Sequence, residues 1–136
     1  SLIILKPDCV RRWLVGKVTQ RYEALWFRLV ATKVISLTQE KLEDHYSHLT
    51  DKPFFGDIVE YMTQNPVVIQ IWEWINCIQT IRKYNGATDP AEAHAWTIRW
   101  DYASHVRENI VHASEDANAA KEEIARFFSS DEIVSY

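Results

Sequence analysis

Histidine offers the widest choice of chemistry in this sequence, because an imidazole can attack as a nucleophile, move a proton or bind a metal. The chain contains five histidines. His112 stands at the end of a predicted short strand, where one ring nitrogen could attack while a hydrogen bond orients the other. A single histidine at a strand end is more often an ordinary half-buried residue, so its neighbours must decide between the two interpretations.

Phosphate binding by a glycine-rich loop is excluded. The chain has only Gly16, Gly56 and Gly86, which form neither a Walker A loop nor a GxGxxG motif. Any phosphate must therefore be bound by side-chain cations and hydroxyls, for which the arginine fork is well suited. The net charge of −4 argues against a broad nucleic-acid surface, so we do not expect specific nucleic-acid binding.

The other potential ligands show no site pattern. His45 and His48, three residues apart, are typical of a helix surface rather than a metal site. His94 and His105 belong to no motif. Cys9 and Cys77 lack metal-type spacing and could form at most one bridge, so we interpret them as buried or idle thiols.

Length and composition favour one soluble globular domain. The chain has 136 residues, of which 47% are hydrophobic and 25% charged. The longest apolar stretches, such as 67–72, are far shorter than the roughly 20 residues that span a bilayer. Residues 1–5 lack the basic flank and cleavage site of a signal peptide, so we expect a cytoplasmic protein.

The pattern of apolar residues predicts alternating strands and helices. Strands are expected at 2–5, 27–37, 67–72 and 109–112, and helices at 15–26, 39–49 after an N-cap at Thr38, 55–62, 75–84, and from a cap at Ser114 to residue 128. Residues 86–107 show no strong periodicity and are predicted to be a long loop, and a loop of this length in a compact domain is usually functional or disordered. This order predicts an α+β protein of the ferredoxin-like split βαβ type, with a four-stranded antiparallel sheet covered by helices.

Several short motifs resemble those of nucleoside diphosphate kinases, in the same order and at compatible spacing over nearly the whole chain. They are Lys6-Pro7-Asp8, Leu14-Val15-Gly16, His45-Tyr46, Lys52-Pro53-Phe54-Phe55, Pro66-Val67-Val68, Gly86-Ala87-Thr88-Asp89-Pro90, Thr97-Ile98-Arg99-Trp100-Asp101 and Asn109-Ile110-Val111-His112-Ala113-Ser114. One such motif is weak evidence, whereas this many in register are strong evidence.

The resemblance implies a ping-pong kinase with His112 as its phosphohistidine nucleophile, supported by Glu123, Ser114 and Tyr46. The γ-phosphate of a nucleoside triphosphate, usually ATP, would pass through His112 to a nucleoside diphosphate. The residues that would bind the nucleotide are Lys6, Phe54, Arg82, Thr88, Arg99, Val106 and Asn109. Phe54 and Val106 would stack on the base, and the others would bind the phosphates and the ribose.

The resemblance also implies Mg²⁺ as cofactor. The sequence has no carboxylate cluster that indicates a metal site built by the protein, so the ion would be held mainly by the phosphates of the substrate. The expected partners are nucleoside di- and triphosphates and further copies of the chain, in a homo-oligomer built from dimers into a tetramer or hexamer. A longer C-terminal tail and an earlier start are also expected from the family.

The chain departs from the family pattern where large residues replace glycine. They include Trp13, Trp26, Trp74, Trp96 and Trp100, with Cys9, Ile81 and Arg107. A bulky residue at positive φ is strained by roughly 1–3 kcal/mol, so several together would erode stability. Two other hypotheses therefore stay open: a catalytically impaired nucleotide-binding or scaffold protein whose site the tryptophans close, and a single-stranded nucleic-acid binder, which the acidic balance disfavours.

Overall fold

The computed structural model describes the whole chain, Ser1–Tyr136. Its elements are β1 Leu2–Leu5, α1 Pro7–Arg11, α2 Val15–Glu23, β2 Arg28–Ile35, α3 Gln39–His45, α4 Phe55–Thr63, β3 Val67–Glu73, α5 Cys77–Asn85, α6 Ile98–Tyr102, β4 Val111–Ala113 and α7 Ala117–Phe127. Single 3₁₀ turns occupy Ser47–Leu49, Pro90–Glu92 and Ser130–Glu132. None of the helices has both the length and the apolar character needed to cross a membrane.

The four strands form one antiparallel sheet in the order β2-β3-β1-β4. This confirms the predicted ferredoxin-like α+β fold. Strand β1 is central, and its side chains are fully buried on both faces: Ile3 and Leu5 join one core cluster, and Leu2 and Ile4 join the other. The two clusters follow from the two-residue period of a strand that is covered on both sides.

Strand β2 contains a bulge that the sequence did not reveal. Leu29 lies opposite Trp72 and Ala31 lies opposite Ile71, so Val30 is an extra residue on this strand. Val30 and Ala31 are both buried, and the predicted alternation of faces therefore breaks at this point.

Two short helices lie in segments where no helix was predicted. Helix α1 begins with Pro7, a residue suited to the first helical position. Helix α6 lies within the predicted loop 86–107, where the side chain of Thr97 accepts a hydrogen bond from the Trp100 amide at 3.3 Å. Each helix has five residues, which is too few for a helical period to be recognised.

The cap of the last helix was predicted wrongly. Asp116, not Ser114, caps α7 by accepting a hydrogen bond from the Ala119 amide at 2.8 Å. Ser114 is fully buried.

Strand β4 was predicted at 109–112 but spans Val111–Ala113, because the two preceding residues belong to a tight turn. Helices α2, α3 and α5 are each shorter than predicted.

Candidate active site

A cavity of about 590 Å³ lies beside β4, between the end of α5 and the face of α7. This volume is in the range of small-molecule sites. Eight of the eleven predicted site residues line it: Lys6, Tyr46, Arg82, Thr88, Arg99, Asn109, His112 and Glu123. Ser114 lies behind Glu123, whereas Phe54 and Val106 lie outside the cavity. The fold thus gathers residues that are up to 117 positions apart, from 6 to 123.

His112 is oriented by a carboxylate on the neighbouring helix. Its Nε2 lies 2.7 Å from Oε1 of Glu123, and the Ser114 hydroxyl donates to Oε2 of the same carboxylate at 2.5 Å. Burial alone would raise the pKa of Glu123, but the hydrogen bonds from His112 and Ser114 outweigh it and hold this pKa below its usual value. An ionised Glu123 only accepts hydrogen bonds, so Nε2 of His112 carries the proton and Nδ1 keeps a free lone pair.

A second histidine packs against His112. The ring centroids of His45 and His112 are 4.9 Å apart, and the rings are nearly perpendicular at 80°. Burial, reinforced by the neighbouring His112, lowers the pKa of His45 to about 3. The expectation that His45 lies on an exposed helix surface is therefore wrong. Its spacing from Leu42 and Leu49 was the available signal, because residues three and four apart share a helix face.

Arg99 is fixed in place by three backbone carbonyls. From α6 its Nε donates to Asn109 at 3.3 Å, its Nη1 to Gly86 at 2.7 Å and its Nη2 to Val111 at 2.7 Å. A guanidinium has five N–H groups, so two remain for a ligand. Arg99 therefore joins α6 to the turn at Gly86 and to the segment that leads into β4, and it presents a charge of fixed orientation to the cavity.

Gly86 is required where α5 turns toward α6. Its φ is +82°, and a Cβ at this position would lie 2.5 Å from Oγ1 of Thr97. Any other residue would therefore be strained and would collide with the residue that caps α6. The Gly86 carbonyl is also one of the three acceptors for Arg99. This glycine was recognised in the sequence only as part of a motif.

Lys6, Asn109 and Thr88 form one hydrogen-bonded chain along the cavity wall. Nζ of Lys6 donates to Oδ1 of Asn109 at 2.6 Å, and Nδ2 of Asn109 donates to the Thr88 carbonyl at 3.0 Å. Burial and the nearby Arg99 lower the pKa of Lys6 to about 8, against the opposing effect of Asp8. Arg82 also lines the cavity and makes no ion pair with the protein. The wall therefore presents three cations near His112.

The two residues expected to stack on the base lie apart from this cavity. Phe54 immediately precedes α4 and is 42% exposed, and Val106 lies in the segment before β4 and is 40% exposed. An ion pair between Arg107 and Asp57, with a distance of 2.8 Å, joins these two segments. The Phe54 ring and the Val106 side chain are both accessible, but the structure does not bring them into one pocket with His112.

The tryptophans at positions where the family pattern is expected to have glycine do not close the cavity, because none of them lines it. Trp13, Trp26 and Trp96 have φ of 59°, 63° and 72°, and at least 83% of each residue is exposed. The backbone therefore keeps a left-handed conformation at these three positions. Trp74 and Trp100 have no positive φ. Arg107 also lies outside the cavity.

The fold and the cavity together define an α+β protein with a polar, cation-lined site around one histidine. A family model described as nucleoside diphosphate kinase matches residues 1–133. The chain is 42% identical to nucleoside diphosphate kinase B of Pongo abelii, over all of this chain and 90% of that protein. It is 41% identical to the nucleoside diphosphate kinase of Halalkalibacterium halodurans, over all of this chain and 92% of that protein.

Comparison with solved structures points to the same family. The nucleoside diphosphate kinase of Halobacterium salinarum in complex with CDP superposes with a TM-score of 0.96 at 36% identity, covering 99% of this chain and 90% of that one. The chain belongs to the nucleoside diphosphate kinase family and is a phosphotransferase. The scaffold alternative is not favoured, since the relatives are kinases and the tryptophans leave the cavity open.

Proposed function

We propose that the chain transfers the γ-phosphate of a nucleoside triphosphate, usually ATP, to a nucleoside diphosphate through a phosphohistidine at His112. The observation that carries this proposal is the 2.7 Å contact between Nε2 of His112 and Glu123. It leaves Nδ1 as the nucleophilic nitrogen in a cavity lined by four cationic side chains, of which Arg126 is paired with Asp44.

In the first half of the cycle, Nδ1 of His112 forms a bond to the γ-phosphorus while the bond from that phosphorus to the β,γ-bridging oxygen breaks. The nucleoside diphosphate leaves with that oxygen and its electron pair. A second nucleoside diphosphate then attacks the phosphohistidine with a terminal oxygen, and Nδ1 recovers its lone pair. Two easier steps thereby replace one encounter between two polyanions.

The protein assists mainly by placing charge. Lys6, Arg82 and Arg99 would bind the phosphates and stabilise the charge that develops on the transferring group and on the leaving oxygen. Glu123 stabilises the positive charge that develops on the attacking ring, and Ser114 holds Glu123 in place. Thr88, Asn109 and Tyr46 would complete the contacts around the phosphates, the ribose and the histidine.

Base recognition would use the exposed faces of Phe54 and Val106. Stacking accepts any base because every base has a π-face, so the enzyme should accept several nucleotides. The base would then lie outside the polar cavity, toward the Arg107–Asp57 ion pair. The phosphates would extend inward to His112.

Magnesium is the proposed cofactor, and the residues present fit an ion held by the substrate. Both oxygens of Glu123 already accept hydrogen bonds, from His112 and Ser114. Mg²⁺ prefers oxygen ligands and commonly keeps several waters beside substrate phosphates. The ion would be held mainly by the phosphates of the substrate and would reduce their charge. The cytoplasmic location and the dimer-based oligomer stay predictions.

Labelling with ATP that carries ³²P in the γ-position tests the proposal. The wild-type protein should acquire an acid-labile label that is chased by GDP, and His112→Ala should acquire none. The matched control is His105→Gln, which removes an exposed histidine outside the cavity and should keep full labelling. A stable label on His112→Ala would overturn the assignment of the nucleophile.

A further inference from the structure

Ile110, two residues before His112, has the most strained backbone of the site. It is β-branched and fully buried, yet its φ is +73°. The Val111 amide donates to the Asn109 carbonyl at 2.8 Å, so residues 109–111 form a γ-turn. A conformation of this kind costs on the order of 1–3 kcal/mol and persists only where neighbouring groups hold it.

The group that holds this turn is the carboxylate of Asp8 in α1. Its Oδ2 accepts the Ile110 amide at 3.1 Å, and the Lys6 amide donates to the Ile110 carbonyl at 2.8 Å. Oδ1 of Asp8 accepts the Tyr61 hydroxyl from α4 at 2.5 Å. Asp8 is fully buried and does not line the cavity, so it cannot touch a nucleotide. A buried carboxylate is costly without donors, and these two donors offset that cost.

The turn carries the groups that face the phosphates. The Asn109 side chain binds Nζ of Lys6, and the carbonyls of Asn109 and Val111 accept two of the three Arg99 hydrogen bonds. His112 follows Val111 directly in β4. If the turn relaxed, both cations and the nucleophile would move together. A misplacement of about 1 Å in such a site can reduce the rate about a hundredfold.

We infer that Asp8 is a positioning residue for phosphoryl transfer: its carboxylate, held by Tyr61, locks the strained turn at Ile110 that aligns Lys6 and Arg99 with His112. This inference rests on the proposed role of His112. It also makes Tyr61 part of the same unit, which ties α4 to the turn before β4.

The experiment measures the first-order rate of His112 phosphorylation at saturating Mg-ATP, well below the unfolding temperature of each variant. Asp8→Ala should lower this rate at least about tenfold. Asp8→Asn keeps an oxygen acceptor for the Ile110 amide and should recover the rate to within about threefold of the wild type. The control Asp51→Ala removes an exposed carboxylate and should leave the rate unchanged.

A double-mutant cycle separates positioning from a general loss of stability. Tyr61→Phe should slow phosphorylation about two- to fivefold in the wild type and have no further effect in Asp8→Ala, because Tyr61 acts through Asp8. Should Asp8→Ala not fold, the double variant Asp8→Asn, Tyr61→Phe replaces it and should be at least about fivefold slower than the wild type.

The inference is wrong if Asp8→Ala, or the double variant in its place, has a lowered melting temperature but a rate within twofold of the wild type. Additive effects of Asp8→Ala and Tyr61→Phe would also contradict it. Failure of the proposed function is recognised separately, since His112→Ala would then still be labelled whatever the Asp8 variants do.

Discussion

Lys6 lies between the central strand β1 and helix α1, where burial disfavours the charged form of its side chain. Its ammonium group donates to Asn109 and lies near Arg99, and these surroundings lower its pKa to about 8. A phosphate bound beside it would restore the favourable environment of the charged form. We therefore expect nucleotide binding and protonation of Lys6 to be coupled.

We expect the affinity for Mg-ADP to fall above pH 8. Lys6 is charged below this pH and neutral above it, so the Kd should rise about 25-fold between pH 7.5 and pH 9.5 if the bound form stays protonated. Calorimetric titration at several pH values measures this change. Lys6→Arg keeps its charge throughout this range and should show a flat profile. An equal slope in Lys6→Arg would show that another group titrates.

At the scale of elements, three tryptophans in turns have a left-handed backbone conformation that is unfavourable for a residue with a side chain. Trp26 follows α2 by three residues and donates its amide to the Glu23 carbonyl, in a left-handed conformation that usually belongs to glycine at a helix end. Trp13 and Trp96 have the same conformation in their own turns. Each of the three tryptophans therefore carries backbone strain that a glycine would not have.

Replacing Trp26 by glycine should therefore stabilise the protein. The side chain is 84% exposed, so little burial is lost, and removing the strain at positive φ should raise the free energy of unfolding by about 1 kcal/mol. Urea denaturation followed by circular dichroism measures the change. Trp100→Gly is the matched control: it places glycine inside α6 and should destabilise the protein by about 1 kcal/mol. Destabilisation by Trp26→Gly would mean that the indole makes a contact worth more than the strain.

At the scale of the whole molecule, the core and the site share the same side chains. His45 closes α3, contacts Phe127 on α7 and packs on His112. Its Nδ1 lies 3.3 Å from Nη1 of Arg126, which can only donate, so Nδ1 accepts and the ring is neutral. Protonation of this residue in the folded state is therefore opposed by both burial and neighbouring charge.

This neutral histidine should make stability depend on pH in a defined window. The pKa of His45 is about 3 in the folded state and about 6.5 when unfolded, so the unfolded chain binds the proton first. No effect is expected above pH 6.5, and stability should fall progressively below it. At pH 5 the loss is about 2 kcal/mol. It continues to grow until the pH reaches the folded-state pKa.

The measurement is the free energy of unfolding at pH 8 and pH 5 for the wild type, His45→Gln and His48→Gln. His45→Gln should lose less stability on acidification than the wild type, and the exposed neighbour His48→Gln should match the wild type. Equal slopes in all three proteins would contradict a buried neutral His45.

The sequence by itself was sufficient for the order of the main elements, the class of fold and the family. Four strands and five long or moderate helices follow from apolar periodicity, and the absence of a glycine-rich loop indicates that cationic side chains bind any phosphate. Motifs such as Asn109-Ile110-Val111-His112 specified residues that the structure gathers around one cavity. Local spacing is enough for these inferences because period and motif order are properties of the chain.

Only the tertiary structure decided what each side chain meets. The bulge at Val30, the role of Ser114 behind Glu123 and the burial of His45 against His112 all depend on contacts between residues distant in sequence. The same is true of Asp8, whose partners Tyr61 and Ile110 lie 53 and 102 positions away. No local period encodes such pairs, because they form only when separate elements pack and bury polar groups that must then find partners.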